Sequence, residues 1–184
     1  NTYEQICRIK TRQRICKYFA KIIHSITYFI IGFYTGCRSE CLRNFIEKIT
    51  ENYPETKTLQ QIKGVGPLIS LTYALIIGDP HRFCAKECAS YLGLVPKRDQ
   101  SGEVDKQLGI TKCGNKLLRR LLVQGAQYIM GPFGEDCDLR NFGNRIAARG
   151  GRIAKKKAVI AVARKLAITM LALWRNPNVA YDPH

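Results

Sequence analysis

The chain has 184 residues, of which 46% are hydrophobic and 24% charged, so it can build a folded core and is not collagen-like, low-complexity or wholly disordered. This length fits one medium domain, with or without a helical arm, and excludes a large multidomain enzyme. Thirty Lys and Arg against fourteen Asp and Glu give a net charge of +16 at pH 7, which makes a polyanion, above all nucleic acid, the expected partner.

The eight cysteines are predicted to be buried thiols in a reduced cytoplasm, because no signal peptide opens the chain and no pair has the C-x2-C spacing of a zinc knuckle. His81, Cys84 and Cys88 have a spacing that can bring them to one helical face. A fourth ligand is not evident, so we expect no metal site in this chain.

The first 54 residues are predicted to form a basic helical arm. Basic and apolar residues alternate from residue 6 to 34, as in an amphipathic helix that packs on a partner. The apolar run 22–34 is also compatible with a membrane span, but it is shorter than the roughly 20 residues that a span needs. A second helix is expected over 41–52 and ends at Tyr53-Pro54, which predicts a domain boundary near residue 54.

Residues 58–77 are predicted to form a helix, a tight hairpin and a second helix. Gly64 and Gly66 permit a sharp turn, and Pro67 suits the first turn of a helix. The segment resembles a helix-hairpin-helix motif, in which the amides of Gly64, Val65 and Gly66 would hold a phosphate. An ordinary turn with glycines for geometry explains the segment equally well.

A small β-hairpin is expected next. Residues 83–91 predict a short helix that stops at Gly93, and residues 92–96 predict a short buried strand. The polar segment that follows places Gln100-Ser101-Gly102 between two extended arms. Ser101 would then lie at an exposed tip.

The remaining chain is predicted to be helical and strongly basic. Apolar periodicity indicates helices from residue 116 and over 155–174, with a short helical piece inside the glycine-rich segment 131–151. Residues 106–175 hold fifteen Lys or Arg against three acids, and Lys116, Arg119 and Arg120 share one helical surface. The expected fold is therefore mainly α, a helical domain with a helix-hairpin-helix-like element and one small β-hairpin, preceded by the arm.

Five sequence blocks, taken together and in order, resemble the C-terminal serine domain of a bacterial insertion-sequence transposase family. The blocks are IKGVGP at 62–67, GDPHRF at 78–83, YLGLVP at 91–96, QSG at 100–102 and ITKCGNKLLRRLL at 110–122. Members of that family pair an N-terminal RuvC-like DEDD domain with the serine domain, and some are guided by a bridge RNA. The likeness runs from about residue 59 to 174 and is faint before it.

The resemblance implies DNA transposition or site-specific recombination, with strand cleavage and transfer through a covalent serine-phosphate intermediate. Ser101 falls on the nucleophile of the family. A hydroxyl that attacks a phosphate needs positive charge around the transition state, for which Lys97, Arg98, Lys112 and Arg119 are candidates. The full set of candidate nucleic-acid contacts is Gly64, Val65, Gly66, Lys97, Arg98, Lys112, Asn115, Lys116, Arg119 and Arg120.

The resemblance further implies Mg2+, which the DEDD carboxylates of the RuvC-like domain bind in the family. Glu135, Asp136 and Asp138 cluster in a loop without a matching partner set and are expected to be solvated or to cap a helix. We therefore expect a fragment, with residues 1–54 a remnant of a coiled-coil linker and residues 55–184 the serine domain, that is not active alone. A homo-oligomer in the bacterial cytoplasm, at the nucleoid, is expected.

Two alternatives from other classes stay open. The first is a non-catalytic helix-hairpin-helix protein that binds the backbone of DNA or RNA and is indifferent to Ser101. The second is a membrane-surface protein that uses residues 22–34.

Overall fold

The structure is a computed structural model that describes residues 38–101 and 104–183. This part of the chain contains seven helices and one two-stranded antiparallel sheet, which confirms the predicted mainly α fold with a small hairpin. The basic segment 6–34, including the apolar run 22–34, lies outside the described residues. Contacts divide the chain into two compact units, residues 1–54 and residues 55–184.

The first unit contributes one described helix, α1 (Arg38–Thr50). This is the helix predicted over 41–52. It ends where the hydroxyl of Thr50 turns back and donates to the carbonyl oxygen of Ile46, at 3.1 Å. Phe45 on this helix is 44% exposed.

The second unit contains the remaining elements. In chain order these are α2 (Glu55–Leu59), α3 (Pro67–Ile77), α4 (Ala85–Tyr91), β1 (Pro96–Ser101), β2 (Val104–Ile110), α5 (Lys116–Met130), α6 (Asp138–Ala147) and α7 (Gly151–Arg175). The long helix α7 packs against α2, α4, α5 and α6, and α3 packs against α2 and α5. The helices predicted for 116 onward and for 155–174 are α5 and α7, and the short helical piece is α6.

The core of this unit lies where α3, α5 and α7 meet. Val162, Leu166 and Met170 of α7 are fully buried, as are Leu118 and Leu122 of α5. Each buried aliphatic side chain of this kind stabilises the fold by about 1.5–3 kcal/mol relative to its exposed state. The apolar spacing in these helices is therefore explained by the core face that each of them presents.

The segment 92–96 is not the short buried strand that its apolar sequence predicts. Instead, α4 ends in a Schellman motif: the Gly93 amide donates to the Ser90 carbonyl at 2.9 Å and the Leu94 amide to the Ala89 carbonyl at 3.1 Å. Gly93 has φ +67°, a left-handed conformation that a β-strand does not contain. Leu92 and Leu94 are buried because they close the end of the helix against the core.

The predicted β-hairpin is present. β1 pairs with β2 from Pro96 opposite Ile110 to Ser101 opposite Val104, with an irregularity between Pro96 and Arg98. This register places two residues between the paired ends of the strands. Ser101 is thus the last paired residue of β1, at the end of the hairpin that is remote from the helical core.

Candidate functional site

The hairpin that carries Ser101 is anchored where the end of α4 meets the loop before α5. The two glycines at this junction, Gly93 and Gly114, both have positive φ, at +67° and +76°. A Cβ at Gly93 would lie 2.6 Å from the backbone nitrogen of Cys113, and one at Gly114 would lie 3.0 Å from the carbonyl carbon of Tyr91. Only glycine lets these two backbone segments approach so closely.

Hydrogen bonds reinforce the same junction. Nη1 of Arg119 donates to the carbonyl oxygens of Leu92, at 3.1 Å, and Cys113, at 2.7 Å. The Lys112 amide donates to the Gly93 carbonyl at 3.2 Å. The blocks 91–96 and 110–122, separate in the sequence, therefore form one structural feature, which we call the glycine junction: residues 92–94 and 111–114 with Arg119.

Three predicted cations are exposed near this junction. Lys112, with φ +58°, lies in the junction itself, and Lys116 and Arg120 lie on the first turns of α5. Asn115 caps α5, since its side-chain oxygen accepts from the Leu118 amide at 3.0 Å. Arg119 is the exception among the predicted phosphate contacts, because part of its guanidinium is bound to backbone carbonyls.

The strands contribute the other predicted residues. Lys97 is exposed at the base of β1, and Arg98 follows it in the same strand. The side chains of residues 98–107, including Arg98 and Ser101, lie outside the described part of the structure. The roles of Arg98 and Ser101 stay predictions on the backbone position alone.

The turn between α2 and α3 has the glycine geometry of the predicted helix-hairpin-helix element. Gly64 has φ +93°, and a Cβ there would meet the Gly125 carbonyl oxygen of α5 at 3.3 Å. Val65 is 5% exposed, whereas a Cβ at Gly66 would meet open space. Packing against α5 thus accounts for Gly64, and a phosphate contact at this turn stays a prediction.

A cavity of about 720 Å³ lies between the base of the hairpin and one face of α7. The hairpin side includes the apolar residues Leu94, Leu108 and Ile110 together with Lys112. The α7 side consists of residues three and four apart: Ile153, Lys156, Lys157, Ile160, Ala161, Arg164, Lys165 and Ile168. The helix over 155–174 was predicted from the sequence, but this face was not identified.

Two faces of α7 therefore have different surroundings. Ala158, Val162, Ala163 and Leu166 face the core and are fully buried. The face that lines the cavity mixes isoleucines with cations, and Ile153 is 71% exposed. The sequence pattern that could have indicated this face is the second stripe of basic and apolar residues on α7, which does not contribute to the core.

The acidic residues of the loop before α6 lie beside basic side chains. Glu135 pairs with Lys63 at 2.6 Å, which raises the pKa of Lys63, and Asp136 lies 3.6 Å from Arg140. Within residues 38–101 and 104–183, no group of three or more His, Cys, Asp or Glu is placed to hold a metal ion. In particular, His81 and Cys84 are exposed, whereas Cys88 is buried beside Tyr73.

None of the helices in the described segments is both long and apolar enough to cross a membrane. The apolar run 22–34, on which the membrane alternative depends, lies outside those segments.

Comparison with known proteins finds similarity to transposase sequences. Residues 56–136 match the model of the transposase IS116/IS110/IS902 family. The chain is 30% identical over 140 residues, 74% of its length, to the transposase for insertion sequence element IS1111A of Coxiella burnetii. It is 35% identical over 126 residues, 67% of its length, to the pilin gene-inverting protein of Moraxella lacunata.

A third relative is the transposase for insertion sequence element IS1328 of Yersinia enterocolitica, which is 33% identical over 99 residues, 52% of this chain. The chain spans about a third of these relatives: 38%, 38% and 30% of their lengths, respectively. The matched family region contains the turn at Gly64, the glycine junction and the hairpin.

Proposed function

We propose that residues 55–184 are the serine domain of an insertion-sequence transposase, which cleaves and rejoins DNA through a covalent bond to Ser101. The observation that carries this proposal is the hairpin inside the matched region 56–136, where Ser101 ends β1 above an anchored base. The relatives support the reaction class, because they are named as transposases and as a gene-inverting protein.

In the proposed reaction, the Ser101 oxygen attacks a phosphorus atom of the DNA backbone. A bond forms between the serine oxygen and phosphorus, and the bond from phosphorus to the departing sugar oxygen breaks. The serine proton leaves to a base, and the departing oxygen takes up a proton as a sugar hydroxyl. Cations lower the barrier by stabilising the negative charge of the transition state, a role that we propose for Arg98, which lies in β1 on the Ser101 side of Lys97. Lys97 and Lys112 lie at the base of the hairpin and are proposed to contact the DNA backbone there.

The basic surface around the junction is proposed to hold the DNA backbone. Lys112, Lys116 and Arg120 are exposed on neighbouring turns, so their charges can reach successive phosphates without reading bases. We propose that Mg2+ chemistry belongs to a RuvC-like domain, as in the family, since Glu135 and Asp136 are paired with cations. A guide RNA, a homo-oligomer and a cytoplasmic, nucleoid-associated location complete the proposal.

The test is a denaturing gel of the chain mixed with labelled DNA and Mg2+, with and without a separately supplied RuvC-like domain. We expect a band of protein joined to DNA that survives denaturation and is lost in Ser101→Ala. Ser90→Ala is the matched control, because Ser90 is exposed on α4 and its hydroxyl donates only to Lys86 in its own helix.

A covalent band that persists in Ser101→Ala would overturn the assignment of the nucleophile. If no covalent band forms under any condition while salt-sensitive binding persists, the alternative of a non-catalytic backbone-binding protein replaces the proposal. The exposed cations around the glycine junction favour that alternative as the second candidate, because they do not depend on Ser101.

A further inference from the structure

We propose that the cavity between the hairpin and α7 binds an unpaired nucleotide of single-stranded DNA. Its base would lie on the apolar surface, and its phosphates would contact the cations at the rim. The inference rests on the proposed function in one respect: it takes the polyanion to be the DNA strand that the domain handles. It adds a binding site for a base to a surface that otherwise contacts only phosphates.

The size and lining of the cavity suit a nucleotide. A volume of about 720 Å³ lies in the range of about 300–1,000 Å³ that is common for sites of small organic ligands. Leu94, Leu108 and Ile110 on one side and Ile153 and Ile160 on the other supply apolar surface for the flat faces of a base. A base can occupy such a surface only when it is unpaired and unstacked.

Part of this apolar surface faces solvent. Leu108 is 47% exposed and Ile153 is 71% exposed, one on each side of the cavity. Apolar side chains that face each other across an open cavity gain free energy when a ligand removes both from water. A ligand that covers the cavity would therefore be stabilised by this apolar surface.

The charged residues at the rim indicate which kind of ligand the cavity binds. Five cations line the cavity: Lys112, Lys156, Lys157, Arg164 and Lys165, and its described lining contains no acid. Lysine stems can cover apolar surface while their ammonium groups reach outward to a phosphate. Another basic segment would be repelled by this rim, and a concave surface does not insert into a bilayer as a convex one does. A ligand with an apolar face and negative charge fits best.

The location connects the cavity to the proposed chemistry. Leu108, Gly109 and Ile110 of β2 line it, and Lys112 belongs both to the lining and to the glycine junction. A single strand of DNA that runs along the hairpin toward Ser101 would therefore pass the cavity. A nucleotide held there fixes the position of the strand relative to the hairpin.

The test compares the binding of three fluorescent probes of equal length: a single strand of thymidines, the same strand with abasic sites, and a duplex. We expect the thymidine strand to bind about tenfold more tightly than the abasic strand, because removing apolar surface of this kind from water contributes at about that level. The double variant Leu108→Ser with Ile153→Ser should remove this difference and leave abasic and duplex binding unchanged. Both positions are exposed, and circular dichroism checks that the variant is folded.

A second pair of variants tests the rim. Lys156→Gln and Lys157→Gln should weaken binding of all single strands, whereas Lys155→Gln, an exposed neighbour outside the lining, should not. Equal affinity of the wild type for thymidine and abasic strands overturns the proposal. The proposal is also overturned if the double variant Leu108→Ser with Ile153→Ser loses affinity equally for the thymidine and the abasic strands. Binding of an acidic peptide in the cavity in preference to DNA would overturn it as well.

The two proposals fail separately. Ser101→Ala should keep the preference for strands that carry bases, even though it loses the covalent band. Base-dependent binding without any covalent product would leave the cavity site standing and remove the proposed reaction. A covalent product without base-dependent binding would support the proposed reaction and remove the cavity site.

Discussion

At the scale of single residues, the core contains one polar pair whose protons are well defined by geometry. The hydroxyl of Tyr73 donates to the Ala167 carbonyl of α7 at 2.7 Å, and it lies 3.4 Å from Sγ of Cys88. Because the hydroxyl proton is used for Ala167, the thiol is the donor to the tyrosine oxygen. Burial raises the pKa of both groups, so both stay protonated in the folded protein.

This pair predicts a loss of stability at alkaline pH. The folded state keeps protons that the unfolded chain releases above about pH 8.5 for the thiol and about pH 10 for the phenol. Stability is therefore complete below these values and falls as the pH rises through them. Urea unfolding from pH 7 to 10.5 measures the decline.

Tyr73→Phe should lower the unfolding free energy at pH 7 by about 1–3 kcal/mol, because it leaves buried hydrogen-bonding groups unpaired. It should also flatten the decline near pH 10, since the phenol no longer titrates. Tyr128→Phe is the control, because Tyr128 is 51% exposed. An unchanged alkaline decline in Tyr73→Phe would contradict the assignment.

At the scale of elements, the glycine junction determines whether the hairpin is attached correctly to the helices. Gly93→Ala and Gly114→Ala should each lower the unfolding free energy by about 3 kcal/mol or more, because each combines a positive φ with a backbone clash. Thermal unfolding followed by circular dichroism measures this loss.

Gly109→Ala is the matched control for the junction. Gly109 lies in β2, a Cβ there would meet nothing within 4 Å, and its φ is not positive. Its replacement by alanine should change stability by less than about 1 kcal/mol. Equal effects at Gly109 and Gly93 would show that the clash is not the cause.

The elements that could be predicted from sequence are those whose local and tertiary signals agree. The apolar spacing of α5 and α7 predicts their core faces, and the polar segment around Ser101 predicts the hairpin. Residues 92–96 were wrongly predicted as a strand, because their apolar content reflects the burial of Leu92 and Leu94 at the end of α4 and not an extended backbone. The pairing of distant segments at the glycine junction has no local signal.

The candidate site was predictable only in part, for a related reason. Lys112, Lys116 and Arg120 are exposed, as a binding role requires, but the sequence does not distinguish them from Arg119, which binds backbone carbonyls. The cavity face of α7 was not identified separately from the sequence, where the cations at residues 156 and 164 are counted only as part of the basic surplus of 106–175. This face lines a cavity only together with β2, which is distant in the sequence.

At the scale of the whole molecule, not every cation that contributes to the net charge of +16 is free to contact a phosphate. Arg119, Arg140 and Arg175 each donate to backbone carbonyls and fasten separate loops to the helices. Arg140 reaches Gly131 at 2.9 Å, and Arg175 reaches Pro80 at 2.9 Å. These arginines therefore have a structural role.

The salt dependence of duplex binding should separate the two groups of cations. Lys116→Gln and Arg120→Gln should each reduce the slope of log affinity against log salt by about 0.9, because each removes one phosphate contact. Arg140→Gln should leave the slope unchanged and lower the melting temperature. A reduced slope in Arg140→Gln would contradict its structural role.

The anchored base of the hairpin has a mechanical consequence. β1 runs from Pro96 to Ser101, so its end lies about 17 Å from its base at about 3.3 Å per residue. A tilt of only about 3° at the base displaces the end by about 1 Å, a misplacement that can slow a reaction about 100-fold. The two glycines of the junction therefore control the orientation of the hairpin and, through it, the position of Ser101. A substitution at the junction can abolish the reaction although Ser101 itself is unchanged.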